Sequence, residues 1–263
     1  MLVFLIPGVS LGLSLVMVFA WILQRRLGNA GWVDAVWSFG TGAAGVAYAL
    51  APLGTADWPA PRQTLVALVV ALWSLRLGLH LADRSRRGPE DTRYARLRVE
   101  WGADFERRLF WFLQAQAVAS MILTLSILVA AANPAPIGPT DLLALAIMAA
   151  AIIGEGVADA QLRSFRLDPA NHGRICDRGL WSLSRHPNYF FEWLIWVAYP
   201  VFALGGGWWW LALTGPAAMY WLLVHVSGIP LLEAQMLRSR GDAYRLYQAR
   251  TRAFLPLPLW RRS

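Results

Sequence analysis

The sequence predicts an all-α, polytopic membrane protein with seven transmembrane helices and short cytoplasmic amphipathic helices. Three observations carry that prediction. Of the 263 residues, 57% are hydrophobic and 15 are Trp, the composition of a chain embedded in a bilayer. The apolar residues gather into seven runs of about 20 residues, the length that crosses the hydrocarbon core as a helix. The charged residues lie mostly between these runs, and the basic ones concentrate in alternate gaps. We see no internal repeat, low-complexity tract or separate soluble segment, so residues 1–263 read as a single integral membrane domain.

In chain order the runs are Leu2 to Leu23, Trp32 to Leu53, Thr64 to Leu81, Trp111 to Ala132, Asp141 to Gln161, Pro187 to Leu204, and Trp208 to Ile229. The first lacks a basic residue ahead of it, and Gln24-Arg25-Arg26 makes a poor cleavage site, so it reads as a retained helix rather than a signal peptide. Arg25 and Arg26 follow the first run, eight arginines from Arg84 to Arg108 follow the third, five from Arg163 to Arg185 follow the fifth, and seven from Arg238 to Arg262 follow the last. With seven crossings all of these lie on one side, and the opposite loops hold only Arg62. The positive-inside rule then places the N-terminus outside and the C-terminus in the cytoplasm, as expected for a bacterial inner-membrane protein. Between the third and fourth runs, Tyr94, Leu97, Trp101, Phe105 and Leu109 recur at spacings of three and four, which predicts one amphipathic surface helix from Thr92 to Leu109. In the tail, Gly241-Asp242 breaks and recaps a helix that carries Tyr244 and Tyr247, before Pro256 and Pro258 end it.

Composition also excludes some functions. One cysteine, Cys176, rules out an internal disulfide and a thiolate metal cluster, and His80, His172, His186 and His225 show no ligand spacing, so no metal is expected. The net charge of +8 comes from arginine alone, since the chain has no Lys, but these arginines sit between apolar runs and follow membrane topology rather than a nucleic-acid surface.

Ionisable residues inside bilayer helices are costly and usually line a cavity. Here they are Asp34, Arg76, Glu155, Asp159, Glu192 and His225, and all fall in the cytoplasmic half. Glu155 and Asp159, for example, lie about 21 Å and about 27 Å along the helix from Asp141 at the outer start. That asymmetry favours a pocket open to the cytosol over a through-going channel. Glu155, Asp159, Arg163 and Arg166 follow spacings of four, four and three on one face, and could equally form an ion-pair ladder.

The stretch Gly179 to Glu192 is the chemical centre of the chain. Pro187 disfavours helical geometry at His186 and pre-sets the first helical turn, so a helix is expected to start there with Ser184 near its cap. Its free N–H groups and Arg185 would suit an anion. Asn188 and Glu192 share a face one turn deeper.

These residues carry a resemblance. Gly179-Leu180-Trp181, Ser184-Arg185-His186-Pro187-Asn188-Tyr189 and Glu192, preceded by Asp159, Arg163 and Arg166, resemble the C-terminal region of the steroid 5α-reductases (3-oxo-5α-steroid 4-dehydrogenases) and their bacterial membrane relatives. The resemblance implies NADPH bound from the cytosolic side and reduction of a carbon–carbon double bond conjugated to a carbonyl in a hydrophobic, steroid-like substrate. By position it implies that residues 155–192 and 244–256 hold most of the cofactor motif. Asp159, Arg163, Arg166 and Arg174 would lie around the adenosine and phosphates, with Glu155, Arg185 and His186 in the same stretch. Asn188 and Glu192 would lie toward the nicotinamide, and Tyr244 and Tyr247 would close over the cofactor. No GxGxxG follows a strand, so the membrane helices themselves must hold the dinucleotide. Where the mammalian enzymes carry a Gln-Glu pair to polarise the substrate carbonyl, this chain reads Asp34-Ala35-Val36-Trp37-Ser38, so Asp34, or a hydroxyl or water held by Trp37 and Ser38, is the expected catalytic donor. Asp34 could donate only if burial kept it protonated. The expected partners are a hydrophobic small molecule and the bilayer, with no nucleic acid and no obligatory protein.

A second family shares part of the pattern. Isoprenylcysteine carboxyl and phospholipid methyltransferases also carry an Arg-His-Pro-x-Tyr run before a membrane helix and bind S-adenosylmethionine there. That cofactor has no phosphates and would leave Arg163, Arg166 and Arg174 without a ligand.

Overall fold

The computed structural model of the protein describes residues 2–52 and 58–258. These residues form helices and no strands: α1 (Leu2–Leu27), α2 (Trp32–Ala49), α3 (Pro61–Arg87), α4 (Thr92–Trp101), α5 (Phe105–Ala131), α6 (Pro139–Leu167), α7 (Leu180–Leu183), α8 (Pro187–Ala203), α9 (Thr214–Trp221) and α10 (Ile229–Arg250). Five helical stretches are long and apolar enough to cross a membrane, as in an integral membrane protein: Val3–Leu27, Pro61–Arg87, Thr92–Ala131, Pro139–Leu167 and Trp209–Arg250.

The other expected runs take different forms. The run expected from Trp32 to Leu53 is an 18-residue helix ending at Ala49, and its predicted end at Leu53 lies outside the described residues. The sixth run is a 17-residue helix. The seventh is not one helix: Trp209–Leu213 is 3-10, α9 follows, Leu222–Val226 is a π turn, and Gly228 intervenes before α10. The amphipathic helix expected from Thr92 to Leu109 is also divided. Gly102 takes φ +51°, a left-handed conformation that glycine reaches without Cβ strain, and the chain turns there between α4 and α5. The break read at Gly241 is present, also at φ +51°.

The chain divides into two compact units. Unit 1 holds residues 1–141 and 199–215, and in it α2 packs against α1, α3 and α5. Small residues let the backbones approach: a Cβ on Gly42 would meet the Ser74 side chain at 2.0 Å, and one on Gly45 would meet Ile127 and Val70 below 3 Å. Polar contacts join the same helices, Thr41 with Ser120 at 2.8 Å and Ser74 Oγ donating to the Ser38 carbonyl at 3.0 Å. Around that centre α1 is two-faced. Leu13, Met17, Ala20 and Gln24 are buried, whereas Leu11, Leu15, Phe19 and Ile22 are exposed, the pattern of a helix with lipid on one side.

At the end of unit 1 that the sequence reading assigns to the outside, Arg62 is buried. Its Nε and Nη2 donate to Asp141 Oδ1 and Oδ2 at 2.8 and 2.7 Å, and its remaining donors reach the carbonyls of Asn133, Ala135 and Pro136. Asn133 in turn donates to the carbonyls of Phe202 and Leu204. Arg62 thus organises the turn at 133–141 instead of facing water.

Unit 2 holds residues 142–198 and 216–263. It contains the length of α6 beyond Asp141, the 168–186 segment, the first part of α8, α9 and α10. Both stretches expected to carry the cofactor motif, 155–192 and 244–256, fall in this unit.

Candidate functional site

The 168–186 segment folds back on the last turns of α6. Leu180 N–H donates to Gln161 Oε1 at 3.0 Å and the Trp181 indole donates to the Ala158 carbonyl at 2.9 Å. Gly179, at φ +54°, lies so close to Gln161 that a Cβ would meet its amide at 2.5 Å. Phe165, Cys176 and Trp181 bury one another, with Leu162 packed against them. One turn earlier in α6 than Ala158, a Cβ on Gly154 would meet the Phe191 ring at 2.3 Å, so α8 is in close contact with α6 there. The fold-back therefore sets the start of α8 against the same helix that carries Glu155, Asp159, Arg163 and Arg166. An open groove of about 310 Å³ lies along the segment, lined by Gln161, Ser164, Phe165, Asp168, Asn171, Cys176, Arg178 and Gly179.

The start of α8 forms as expected: Pro187 is its first residue, and Ser184 Oγ accepts from His186 N–H at 3.1 Å. What the sequence does not reveal is a strap from the tail. Arg185 N–H donates to the Arg252 carbonyl at 2.8 Å, Ser184 Oγ donates to the Phe254 carbonyl at 2.9 Å, and the Tyr247 hydroxyl donates to the Trp181 carbonyl. Tyr244 and Tyr247 are both buried, in edge contact with each other, so they belong to the packing of this strap rather than to an open cover over a ligand.

Arg185 also departs from expectation. Its Nε and Nη2 lie 2.7 and 2.6 Å from Glu233 Oε1, and its Nη1 donates to the Gln248 and Thr251 carbonyls. All three nitrogens are occupied within the chain, so Arg185 is a clamp and not a free cation for an anion at the helix end. His186 Nε2 shares Glu233 Oε1 at 3.2 Å, and its ring stacks on Tyr189. Burial pushes the His186 pKa below its ordinary value, and Glu233 pulls only partly in the other direction.

The remaining expected residues are dispersed by exposure. Glu155 and Glu192 are buried, and Glu192 Oε1 accepts from the Trp196 indole at 3.0 Å. Asn188 and Asp159 are half-buried, and Arg163, Arg166 and Arg174 are exposed. The Nε of Arg252 is buried with no hydrogen-bond partner among the described residues, although the Arg252 carbonyl is held by Arg185. A cationic donor left in that state lacks an acceptor among the described residues.

In unit 1, Asp34 is an acceptor twice over. Arg93 Nη2 lies 2.5 Å from its Oδ2, and the Tyr94 hydroxyl donates to its Oδ1 at 2.9 Å. Both oxygens of Asp34 are taken by partners within the chain, so it is not placed as the free donor expected of it. Ser38 is fully buried and its hydroxyl donates to the Asp34 carbonyl at 2.9 Å, and Trp37 packs against the core between α1, α2 and α5. The hydroxyls of Ser38 and Tyr94 are thus both committed to Asp34, one to its carbonyl and one to its carboxylate. Asp91 extends the network by pairing with Arg93 and Arg84. Burial alone would raise its carboxyl, but the two guanidinium groups and the Arg93 N–H hold it at about 2.

Residues 20–251 match the family model described as "Protein of unknown function (DUF1295)". The chain belongs to that family. No curated protein and no solved structure matches it. The match runs through both units, so the DUF1295 unit of descent includes the Asp34–Tyr94 cluster as well as the α6–α8 region.

In this DUF1295 protein, three residues of interest escape the sequence reading. Glu233 carries a signal, a lone carboxylate in an apolar stretch just past the last predicted crossing. Tyr94 sits on the expected amphipathic stripe, where an aromatic ring reads as packing and its hydroxyl is ignored. Arg252 lies among other tail arginines and carries no distinguishing mark.

Proposed function

We propose that this DUF1295 protein is an NADPH-dependent membrane oxidoreductase that reduces a carbon–carbon double bond conjugated to a carbonyl in a hydrophobic, steroid-like substrate. The observation that carries this reading is the fold-back of 179–186 onto α6, which gathers the residues that the resemblance assigns to the cofactor into one unit. Their chemistry fits a dinucleotide phosphate. Arg163, Arg166 and Arg174 offer exposed guanidinium groups for phosphates, and Arg252 offers a buried donor with no acceptor among the described residues. Glu192 and Asn188, one helical turn apart, supply an acceptor and an amide for the carboxamide end. NADPH, when bound, supplies the hydride that adds to the β-carbon of the enone. The carbonyl oxygen then gains negative charge, which a hydrogen-bond donor must meet.

We also retain the topology of seven crossings with the N-terminus outside and the C-terminus in the cytoplasm. At about 1.5 Å per residue, α2 and α8 reach about 26 Å, close to the thickness of the hydrocarbon core. Ten of the 18 residues of α2 are buried, as in a helix packed among other helices rather than in lipid.

One observation favours the competing reading, a membrane methyltransferase using S-adenosylmethionine. Glu233 neutralises Arg185, so the start of α8 carries less free positive charge than the sequence suggests. Turnover separates the two readings. With NADPH and a cyclic enone, Glu192→Gln is expected to leave cofactor affinity nearly unchanged and to lower turnover tenfold or more, since about 1.4 kcal/mol in the barrier is a factor of ten. If the variant loses thermal stability while keeping its turnover per folded molecule, Glu192 is a packing residue and the assignment of the nicotinamide end fails.

A further inference from the structure

We propose that unit 1 carries a binding site for the phosphate of an anionic phospholipid headgroup, at the turn where α4 meets α5. At the Gly102 break, Trp101 lies beside the first turns of α5, its ring 6.1 Å from Phe105 and 6.3 Å from Phe112. The result is an open groove of about 480 Å³ lined by Trp101, Arg107, Arg108, Trp111 and Phe112.

Among the described residues, Arg107 and Arg108 reach one carboxylate, that of Asp104, at 3.2 and 3.9 Å, and their side chains remain 74% and 54% exposed. Two guanidinium groups on one carboxylate leave a net positive charge, and a phosphate is the acceptor whose geometry suits a pair of arginines.

Position selects a lipid over a soluble phosphate. Trp111 is 66% exposed, and Val118 and Ile122, seven and eleven residues later on the same helical face, are exposed as well. That face has no protein over it, and from Trp111 to the end of α5 at Ala131 the helix rises about 30 Å, one hydrocarbon thickness. Trp111 therefore lies at headgroup level, where Trp is enriched, with the arginines on the aqueous side and an apolar strip for an acyl chain on the other.

The test uses the full-length protein in a neutral detergent, titrated with phosphatidylglycerol, phosphatidylcholine or inorganic phosphate, and read by native mass spectrometry and thermal unfolding. Phosphatidylglycerol is expected to bind at least tenfold more tightly than phosphatidylcholine and to raise the unfolding temperature, and millimolar inorganic phosphate to leave it unchanged. R107Q/R108Q is expected to weaken phosphatidylglycerol roughly 30-fold, taking about fivefold for each arginine near a membrane surface. W111A keeps the ion pairs and is expected to weaken it at least threefold, whereas R238Q/R240Q, exposed arginines of α10, leaves it unchanged. The proposal is overturned if either groove variant binds phosphatidylglycerol like the unaltered protein, if the two lipids bind alike, or if inorganic phosphate stabilises as well as the lipid does.

Discussion

Glu233→Gln probes the clamp on which the start of α8 depends. The carboxylate receives Arg185 twice through Oε1, at 2.7 and 2.6 Å, shares that oxygen with His186 at 3.2 Å, and receives Gln248 through Oε2 at 2.8 Å. A glutamine keeps one acceptor but removes the charge, and its amide nitrogen faces a donor. Breaking a fully buried pair costs about 3–5 kcal/mol, and a charge-assisted hydrogen bond is worth about 1.5–3 kcal/mol. Since Arg185 and Glu233 are 10% and 15% exposed, the lower part of that range applies, and we expect about 3 kcal/mol. For a chain of this size that lowers the unfolding temperature by roughly 6–12 °C. Thermal unfolding in detergent measures it, alongside Arg185→Met and the double variant, whose loss should fall short of the sum of the single losses by at least about 1 kcal/mol. Removing the charge also takes away the attraction that supports a proton on His186. Because burial depresses the His186 pKa in the folded protein, the unfolded chain binds more protons below the ordinary histidine value of 6.5, so this contribution to stability is present above that pH and is lost as pH falls. The variant should show a steeper loss below pH 6.5. An unfolding temperature within about 1 °C of the unaltered protein, or losses that simply add, would refute the clamp.

Arg62→Met should cost about 3–5 kcal/mol, because it leaves Asp141 buried without its partner, and Asp141→Leu added to it should recover at least half, read as apparent unfolding temperature. Asp91 is held at about 2 and is only 12% exposed, so it contributes about 2 kcal/mol that is present above pH 4 and lost as pH falls toward 2. Asp91→Asn should flatten the stability profile in that window, and an unchanged acid profile would remove Asp91 from the account. Tyr94→Phe removes the hydroxyl that donates to Asp34 at 2.9 Å and should cost about 1.5–3 kcal/mol; an unfolding temperature within about 1 °C of the unaltered protein would remove that bond from the account.

The helical class and the positions of most helices are legible because apolar runs of membrane length admit little else, and the breaks at Pro187 and Gly241 follow from local backbone rules. Elsewhere local rules are overruled by packing. The α2 helix reads as an ordinary crossing, yet its Gly42 and Gly45 serve contacts with Ser74, Val70 and Ile127 that lie far away in sequence. The stripe from Tyr94 to Leu109 keeps its period across Gly102, so periodicity alone could not show that the chain turns there. For the candidate site, sequence gives the residue types but not their partners. Arg185 reads as a free cation until Glu233, 48 residues later, is brought to it, and Asp34 reads as a buried acid until Arg93 and Tyr94 arrive from α4. Long-range partners decide whether such a group is available to a ligand, and no spacing rule encodes them.

The central claim is that unit 2 holds a dinucleotide phosphate. Its most direct test is calorimetric titration of the purified protein with NADPH and, separately, with S-adenosylmethionine, repeated on Arg252→Met. The account predicts saturable binding of NADPH, none of S-adenosylmethionine at the same concentrations, and at least tenfold weaker NADPH binding in the variant, the loss of one charge-assisted bond of about 1.5–3 kcal/mol. Saturable binding of S-adenosylmethionine with no heat from NADPH would contradict it and transfer the site to methyl transfer.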